Sequence, residues 1–200
     1  MSNLKNILEK KISCKSVWFM RQAGRYLPEF QLIRSKNTNF IKLCLDSDLS
    51  SEITLQPIKR FNLDSAIIFS DILMVPYALD QDIEFLKDEG PRLSQFDLRS
   101  LSKWNDKKFS NTLNPIYKAI EKTRKKLNKE KSLISFIGAP WTLLVYMLGI
   151  KKGKQDIQLK KLPHEKKIIN EIINRLINFL CIHIKNQINA GADVVQIFDS

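Results

Sequence analysis

Cysteine is scarce. Cys14, Cys44 and Cys181 are the three in 200 residues. They are odd in number, far apart and form no C-x-x-C, so no disulfide frame is expected and a reducing cytoplasm is the default location. Six glycines and seven prolines are too few for a collagen-like or linker-rich chain. His164 and His183 are the two histidines, and neither has Cys, His or acidic company at metal-ligand spacing, so no zinc site is expected. There is no Walker A motif, no G-x-G-x-x-G and no G-x-S-x-G. No run approaches the ~18 apolar residues of a membrane helix, and residues 1–12 lack the apolar core of a signal peptide. Acid is short as well: 21 Asp+Glu against 33 Lys+Arg leaves a net charge of +12. Such a charge suits an acidic substrate or nucleic acid. It equally suits lysines spread over solvated helix faces. The basic run 122–131 has helical spacing and no interleaved aromatics, which favours the solvated face over a nucleic-acid patch.

What is present is a globular mixture, 44% hydrophobic and 27% charged, in strand-like runs alternating with helical stretches. The strand-like runs are 16–20 (SVWFM), 64–70 (DSAIIFS), 133–137 (LISFI) and 193–198 (DVVQIF). All are short, β-branched or aromatic, and apolar on both faces, as buried parallel strands are. Asp48 can cap a helix running to Arg60. Asn111 or Thr112 can cap a second, with Pro115 in its first turn. Ile116, Ile120, Thr123 and Leu127 give that helix one stripe, and Lys118, Lys122, Lys125, Lys126 and Lys129 the opposite face. A long helix is expected from near His164 to Ala190, its core stripe Ile168, Ile172, Leu176, Leu180, Ile184 and Ile188, with Gly191 as the glycine that stops it.

Alternating strands and helices predict a parallel α/β domain over residues 1–200. A doubly wound sheet and a (β/α)8 barrel both fit. A complete barrel takes ~250 residues. The fourth run ends at Asp199-Ser200, where a barrel strand meets its functional loop, so the expectation is the N-terminal portion of a longer domain.

In parallel α/β folds ligands bind at the carboxyl ends of strands. Three stretches fall there. Residues 20–29 place Arg21 and Arg25 four apart with Gly24 between, and two guanidinium forks can grip carboxylates or phosphates. A surface ion-pair cluster with Glu29 is the other reading. Asp71 follows the second run. It is a partly buried acid that needs a partner, or else the N-cap of the next helix. Residues 137–147 run from a strand through Gly138-Ala139-Pro140 into a helix whose N-terminus favours a nearby anion. Tyr146 puts a hydroxyl on that apolar helix, for a ligand or for simple packing.

The blocks VWFMRQAGRYLPEF (17–30), LQPIKRFNLDSAIIFSDIL (55–73) and FIGAPWTLLVYM (136–147) resemble the uroporphyrinogen decarboxylase family. The resemblance keeps the blocks in order and covers nearly the whole chain. It implies a (β/α)8 TIM barrel, of which about the first four strand–helix units are here, and a homodimer. It implies removal of CO2 from the four acetate arms of uroporphyrinogen III to give coproporphyrinogen III, with no metal and no organic cofactor, no nucleic acid and no membrane. By motif, Asp71 is the acid that meets the cationic ring. Arg21, Gln22, Ala23, Gly24 and Arg25 form the substrate-binding segment, and Tyr146 and Ser200 match further substrate contacts. A histidine the family uses as a substrate contact has no counterpart among these residues. The family usually follows YM with an acidic residue and a glycine run. Here Leu148, Gly149, Ile150, Lys151, Lys152 and Gly153 follow instead, a departure that affects the loop and not the helix before it. A corrinoid-dependent methyltransferase on the same barrel and a basic polyanion-binding module are the alternatives. The intact MRQAGRYLPEF and FSDIL blocks argue against the first.

Overall fold

A computed structural model describes residues 3–13, 15–16, 19, 26–86, 90–150 and 165–199. Short helices α1 (Asn3–Leu8), α2 (Pro28–Lys36) and α3 (Phe40–Cys44) precede α4 (Ser47–Arg60). Then come β1 (Ser65–Ile67), α5 (Met74–Ala78), β2 (Ile83–Leu86), β3 (Gly90–Leu93) and a 3-10 turn at Leu98–Lys103. The remainder is α6 (Asp106–Lys126), β4 (Ser132–Gly138), α7 (Pro140–Met147), α8 (Lys166–Asn189) and β5 (Val194–Phe198).

Three strands form a sheet in the order β1-β4-β5. β1 and β4 are parallel, with Ser65, Ala66 and Ile67 opposite Ser132, Leu133 and Ile134. Asp193 N–H donates to Leu133 O at 2.8 Å and Ala139 N–H to Phe198 O at 2.7 Å. Both residue numbers rise together, so β5 also runs parallel to β4. Joining parallel strands requires crossover helices, and the long helices α6 and α8 precede β4 and β5 as that requires. The strands expected at 64–70, 133–137 and 193–198 are therefore present as parallel strands of a mixed α/β fold. The first expected strand falls mostly outside the described residues, and Ser16 and Phe19 lie in no regular element.

The chain divides into two compact units. The first comprises Met1–Asp71, Asn114–Phe136 and Lys185–Gln196. The second comprises Ile72–Leu113, Ile137–Ile184 and Ile197–Ser200. In the first, Ile53, Leu55, Ala66, Ile116, Ile120, Leu127 and Leu133 form the core. In the second, Phe109 stacks obliquely on Phe179, centroids 5.0 Å apart, among Leu113, Leu143 and Leu176.

Three helical expectations need correction, and one hairpin was not expected. The cap of α4 is Asp46, which accepts from the Asp48 and Leu49 amides at 3.0 Å, and not Asp48. Asp48 instead pairs with Lys122 at 2.8 Å. Asn111 and Thr112 do not start a helix. α6 begins at Asp106, after Asn105 accepts from the Lys108 amide at 3.0 Å. Burial of Phe109 and Leu113 on its early turns outweighs the donor lost at Pro115, which lies inside the helix. The core stripe of α8 is not a strict row of fours. An α-helix turns 100° per residue, so such a row precesses by about 40° at each step. The buried positions become Ile172, Leu176, Phe179, Leu180, His183, Gln187 and Ala190, and Ile188 is 53% exposed. Lastly, β2 and β3 form an antiparallel hairpin that the apolar pattern did not announce.

Gly191 has the expected role. At φ 107° it ends α8, with its own N–H on Ile188 O and the Ala192 N–H on Gln187 O. Gly149, at φ 63°, closes α7 in the same manner, so the first residues of the divergent segment after Met147 form a helix stop. Residues 151–153 of that segment lie outside the described part.

Candidate active site

Asp71 stands four residues beyond the end of β1 and is half-buried. The path to it is held from α4. Ladder bonding continues one residue past β1, where Ile68 N–H donates to Ile134 O at 2.9 Å. At Phe69 the neighbours change. Its N–H donates to Thr54 Oγ1 at 2.8 Å, and its carbonyl accepts from Ser50 Oγ at 2.5 Å. Thr54 Oγ1 in turn donates to Ser50 O at 2.7 Å. Both hydroxyl residues are fully buried. A buried backbone amide must find a partner, and two helix hydroxyls supply it where the strand has none. The Phe69 ring is gripped edge-on by Phe30 at 5.9 Å and Phe40 at 5.8 Å. Ser50 and Thr54 escaped sequence reasoning because hydroxyls one turn apart on a helix look like ordinary polar positions. Their one signal is that they interrupt an apolar face.

The cap reading of Asp71 is not supported. α5 starts at Met74 with Leu73 in the cap position and no side-chain cap bond. The charge of Asp71 reaches Cys44, a fully buried thiol whose pKa is raised first by burial and then by Asp71, with Arg34 opposing. Arg34 donates to Asn37 O and lies over the Phe40 ring at 5.9 Å. Glu29, the acid named as a partner for the arginine pair, is gripped by Arg60 through both oxygens, at 3.1 and 2.9 Å. Arg21, Gln22, Ala23, Gly24, Arg25 and Ser200 lie outside the described residues.

In the other unit Tyr146 is half-buried on α7, between the buried Val145 and Met147. Pro140 opens that helix and Ala139 occupies its cap position without a side-chain bond. Thr142, one turn before Tyr146, is buried and donates to Asp199 Oδ1 at 2.8 Å. This contact spans 57 residues of sequence and was not anticipated. His183 is an interior residue of α8, edge-on to Phe109 at 6.2 Å, with its pKa lowered to about 3 by burial. Among the described residues no three His, Cys, Asp or Glu side chains gather as a metal site, and no helix is long and apolar enough to cross a membrane.

The basic run 122–131 is mixed in use. Lys125, Lys126 and Lys129 are solvated. Lys122 pairs with Asp48, and Lys131 donates to Leu63 O at 2.6 Å.

A half-buried acid at a strand's carboxyl end, on a backbone fixed by buried hydroxyls, is an arrangement that can do electrostatic work on a ligand. Comparison with known proteins gives it a family. The uroporphyrinogen decarboxylase (URO-D) family model matches residues 3–200. The uroporphyrinogen decarboxylase of Rickettsia felis is 43% identical over 202 residues, covering 100% of this chain and 58% of that protein. That of Orientia tsutsugamushi is 47% identical over 189 residues, covering 92% of this chain and 54% of that protein. The chain thus spans little more than half the length of these curated relatives. Among solved structures, a methyltransferase from Methanosarcina mazei superposes with a TM-score of 0.65 at 13% identity, over 84% of this chain and 50% of that one. At that identity the likeness concerns the fold alone. With its family blocks in order and the family model matched from residue 3 to residue 200, the chain belongs to the uroporphyrinogen decarboxylase family.

Proposed function

We propose that this chain carries the catalytic acid and the porphyrinogen-binding segment of a uroporphyrinogen decarboxylase, a carboxy-lyase of porphyrin biosynthesis. Asp71 carries the reading: it lies in the family's FSDIL block, beyond β1, on a backbone clamped by Ser50 and Thr54. Loss of CO2 from an acetate arm leaves an electron pair that needs a sink. Protonation of the pyrrole turns the ring into a cation that accepts the pair, a proton delivered to the arm completes the methyl group, and loss of the ring proton restores the neutral pyrrole. An ionised Asp71 facing the ring N–H groups stabilises that cation as it forms. Arg21 and Arg25 bind substrate carboxylates. Tyr146 and Ser200 are further substrate contacts. No step calls for a metal or an organic cofactor.

The same reading extends to architecture. Four units of a (β/α)8 barrel form one domain over residues 1–200 in this reading, and the parallel order β1-β4-β5, each later strand preceded by a long helix, supports three of them. A cytoplasmic homodimer without nucleic-acid or membrane partners completes the proposal. The methyltransferase alternative is not favoured, because the curated relatives are decarboxylases and the methyltransferase neighbour is 13% identical.

The test is turnover of chemically reduced uroporphyrin III, by this chain alone and by a chimera completed with the remaining part of a curated relative. Asp71→Asn keeps the shape and removes the charge. It should bind uroporphyrin III and lose about 10²-fold or more in kcat. Near-normal turnover in the Asn variant would remove Asp71 from the chemistry.

A further inference from the structure

We propose that Thr142 and Asp199 form a positioning pair that sets the rotation of α7, and with it the direction of the Tyr146 hydroxyl, in the porphyrinogen site. The inference rests on the decarboxylase reading, which makes Tyr146 a substrate contact. It deepens that reading by two residues.

The argument begins with how α7 is held. Its apolar side chains, Leu143, Leu144, Val145 and Met147, are buried, but apolar packing is non-directional and leaves a short helix free to roll. Directional bonds fix the roll, and the first turn has two to the end of β5. Ala139 N–H donates to Phe198 O at 2.7 Å. Thr142 Oγ1 donates to Asp199 Oδ1 at 2.8 Å. The first lies on the backbone entering the helix and the second on a side chain three residues on, so together they fix the helix about its own axis. Residues four apart share a helix face. Tyr146 is four beyond Thr142, so the face tied to Asp199 is the face that carries the phenol.

The pair also suits its surroundings. A carboxylate beside the first turn of a helix is favoured by the helix dipole, and the hydroxyl it accepts from is buried, while Asp199 itself is exposed. A buried threonine needs only some partner for its hydroxyl. Here it uses a charged acceptor at a strand's carboxyl end, the rim at which these folds bind ligands. Asp199 also directly precedes Ser200, a proposed substrate contact, so the bond lies between two segments that must present groups to one molecule.

The test uses Thr142→Val, which keeps volume and removes the hydroxyl, Thr142→Ser, which restores it, and Tyr146→Phe. Turnover is read in the preparation that decarboxylates uroporphyrinogen III, and affinity by titrating the 200-residue chain with uroporphyrin III. Thr142→Val should lose about 10–100-fold in kcat/KM and in affinity, the value of one hydrogen bond to a charged group. Thr142→Ser should recover most of it. Adding Thr142→Val to Tyr146→Phe should cost little more than Tyr146→Phe alone, because the two act through one hydroxyl. Additive losses, or a Thr142→Ser variant as impaired as Thr142→Val, would overturn the pair's positioning role. Failure of the parent reading looks different: the unsubstituted chain and its completed chimera would neither release CO2 nor bind uroporphyrin III, whereas failure of the pair leaves both intact.

Discussion

The two ends of β4 and β5 employ their charged side chains differently. Where the strands begin, Arg124 makes four hydrogen bonds: to Lys131 O, to Leu127 O, to Asn128 O and to Asp193 Oδ2, the last at 2.8 Å. The same Asp193 oxygen accepts from the Leu133 N–H, and the Arg124 chain packs against Gly191, whose missing Cβ makes room. Both charges are about four-fifths buried and are paired with each other within the protein. Where the strands end, Asp199 takes a single side-chain bond among the described residues, from Thr142, and remains exposed. Charge at the first end is committed to stability. At the second it is oriented by a hydrogen bond and remains exposed. In parallel α/β folds that division follows from the loops, which vary at the carboxyl ends and tie the fold together at the other.

Substitutions that separate activity from stability test the contrast. The largest effect should come from Asp71→Asn, with the 10²-fold loss in kcat given above and a urea midpoint close to that of the parent. A midpoint that falls with activity would make Asp71 structural. Arg124→Ala should do the reverse. Leaving Asp193, about four-fifths buried, without its partner should cost about 2–3 kcal/mol in urea unfolding, with the folded fraction binding uroporphyrin III normally. Arg25→Lys keeps the charge and loses the two-pronged grip on a carboxylate. Binding should weaken by at least ~1.5 kcal/mol, about tenfold, with stability unchanged. Equal affinity would exclude Arg25 from the site.

A smaller effect follows pH. Burial lowers the His183 pKa to about 3, against 6.5 when unfolded. Above about pH 6.5 the residue is neutral in both states and its contribution is fully present. As pH falls from 6.5 towards 3 the unfolded chain takes up a proton that the folded chain refuses. Stability then drops, by at most ~1.4 kcal/mol per pH unit from this residue. The urea midpoint of His183→Gln should fall less steeply from pH 7 to 5, and an equally steep fall would assign the acid lability to other groups. The smallest effect is expected at Lys122→Gln. Its ion pair with Asp48 is solvated, so KM, kcat and the urea midpoint should all stay where they are.

Local pattern read some of these features well. The stripe Ile116, Ile120, Thr123 and Leu127 is buried as expected, because a helix face repeats within one segment. The strands β4 and β5 were legible from apolar runs, and the position of Asp71 was legible because it directly follows such a run. The start of α6 was not, since a proline at 115 usually marks a beginning and only the burial of Phe109 and Leu113 shows the helix already under way. In α8 an unbroken row of isoleucines and leucines outweighed the true helical period, so His183 and Gln187 were passed over as core positions.

Composition and order alone determined the alternation of strands and helices, the family blocks and the acid at the mouth of β1. These are properties of adjacent residues, set by side-chain periodicity and by glycine's freedom at Gly191. Tertiary structure decided which polar groups meet: Ser50 and Thr54 with Phe69, Arg124 with Asp193, Thr142 with Asp199. Hydroxyls, carboxylates and guanidinium groups carry no periodic signal. Their partners lie 15 to 69 residues away, and a hydrogen bond demands an alignment that only the folded backbone supplies.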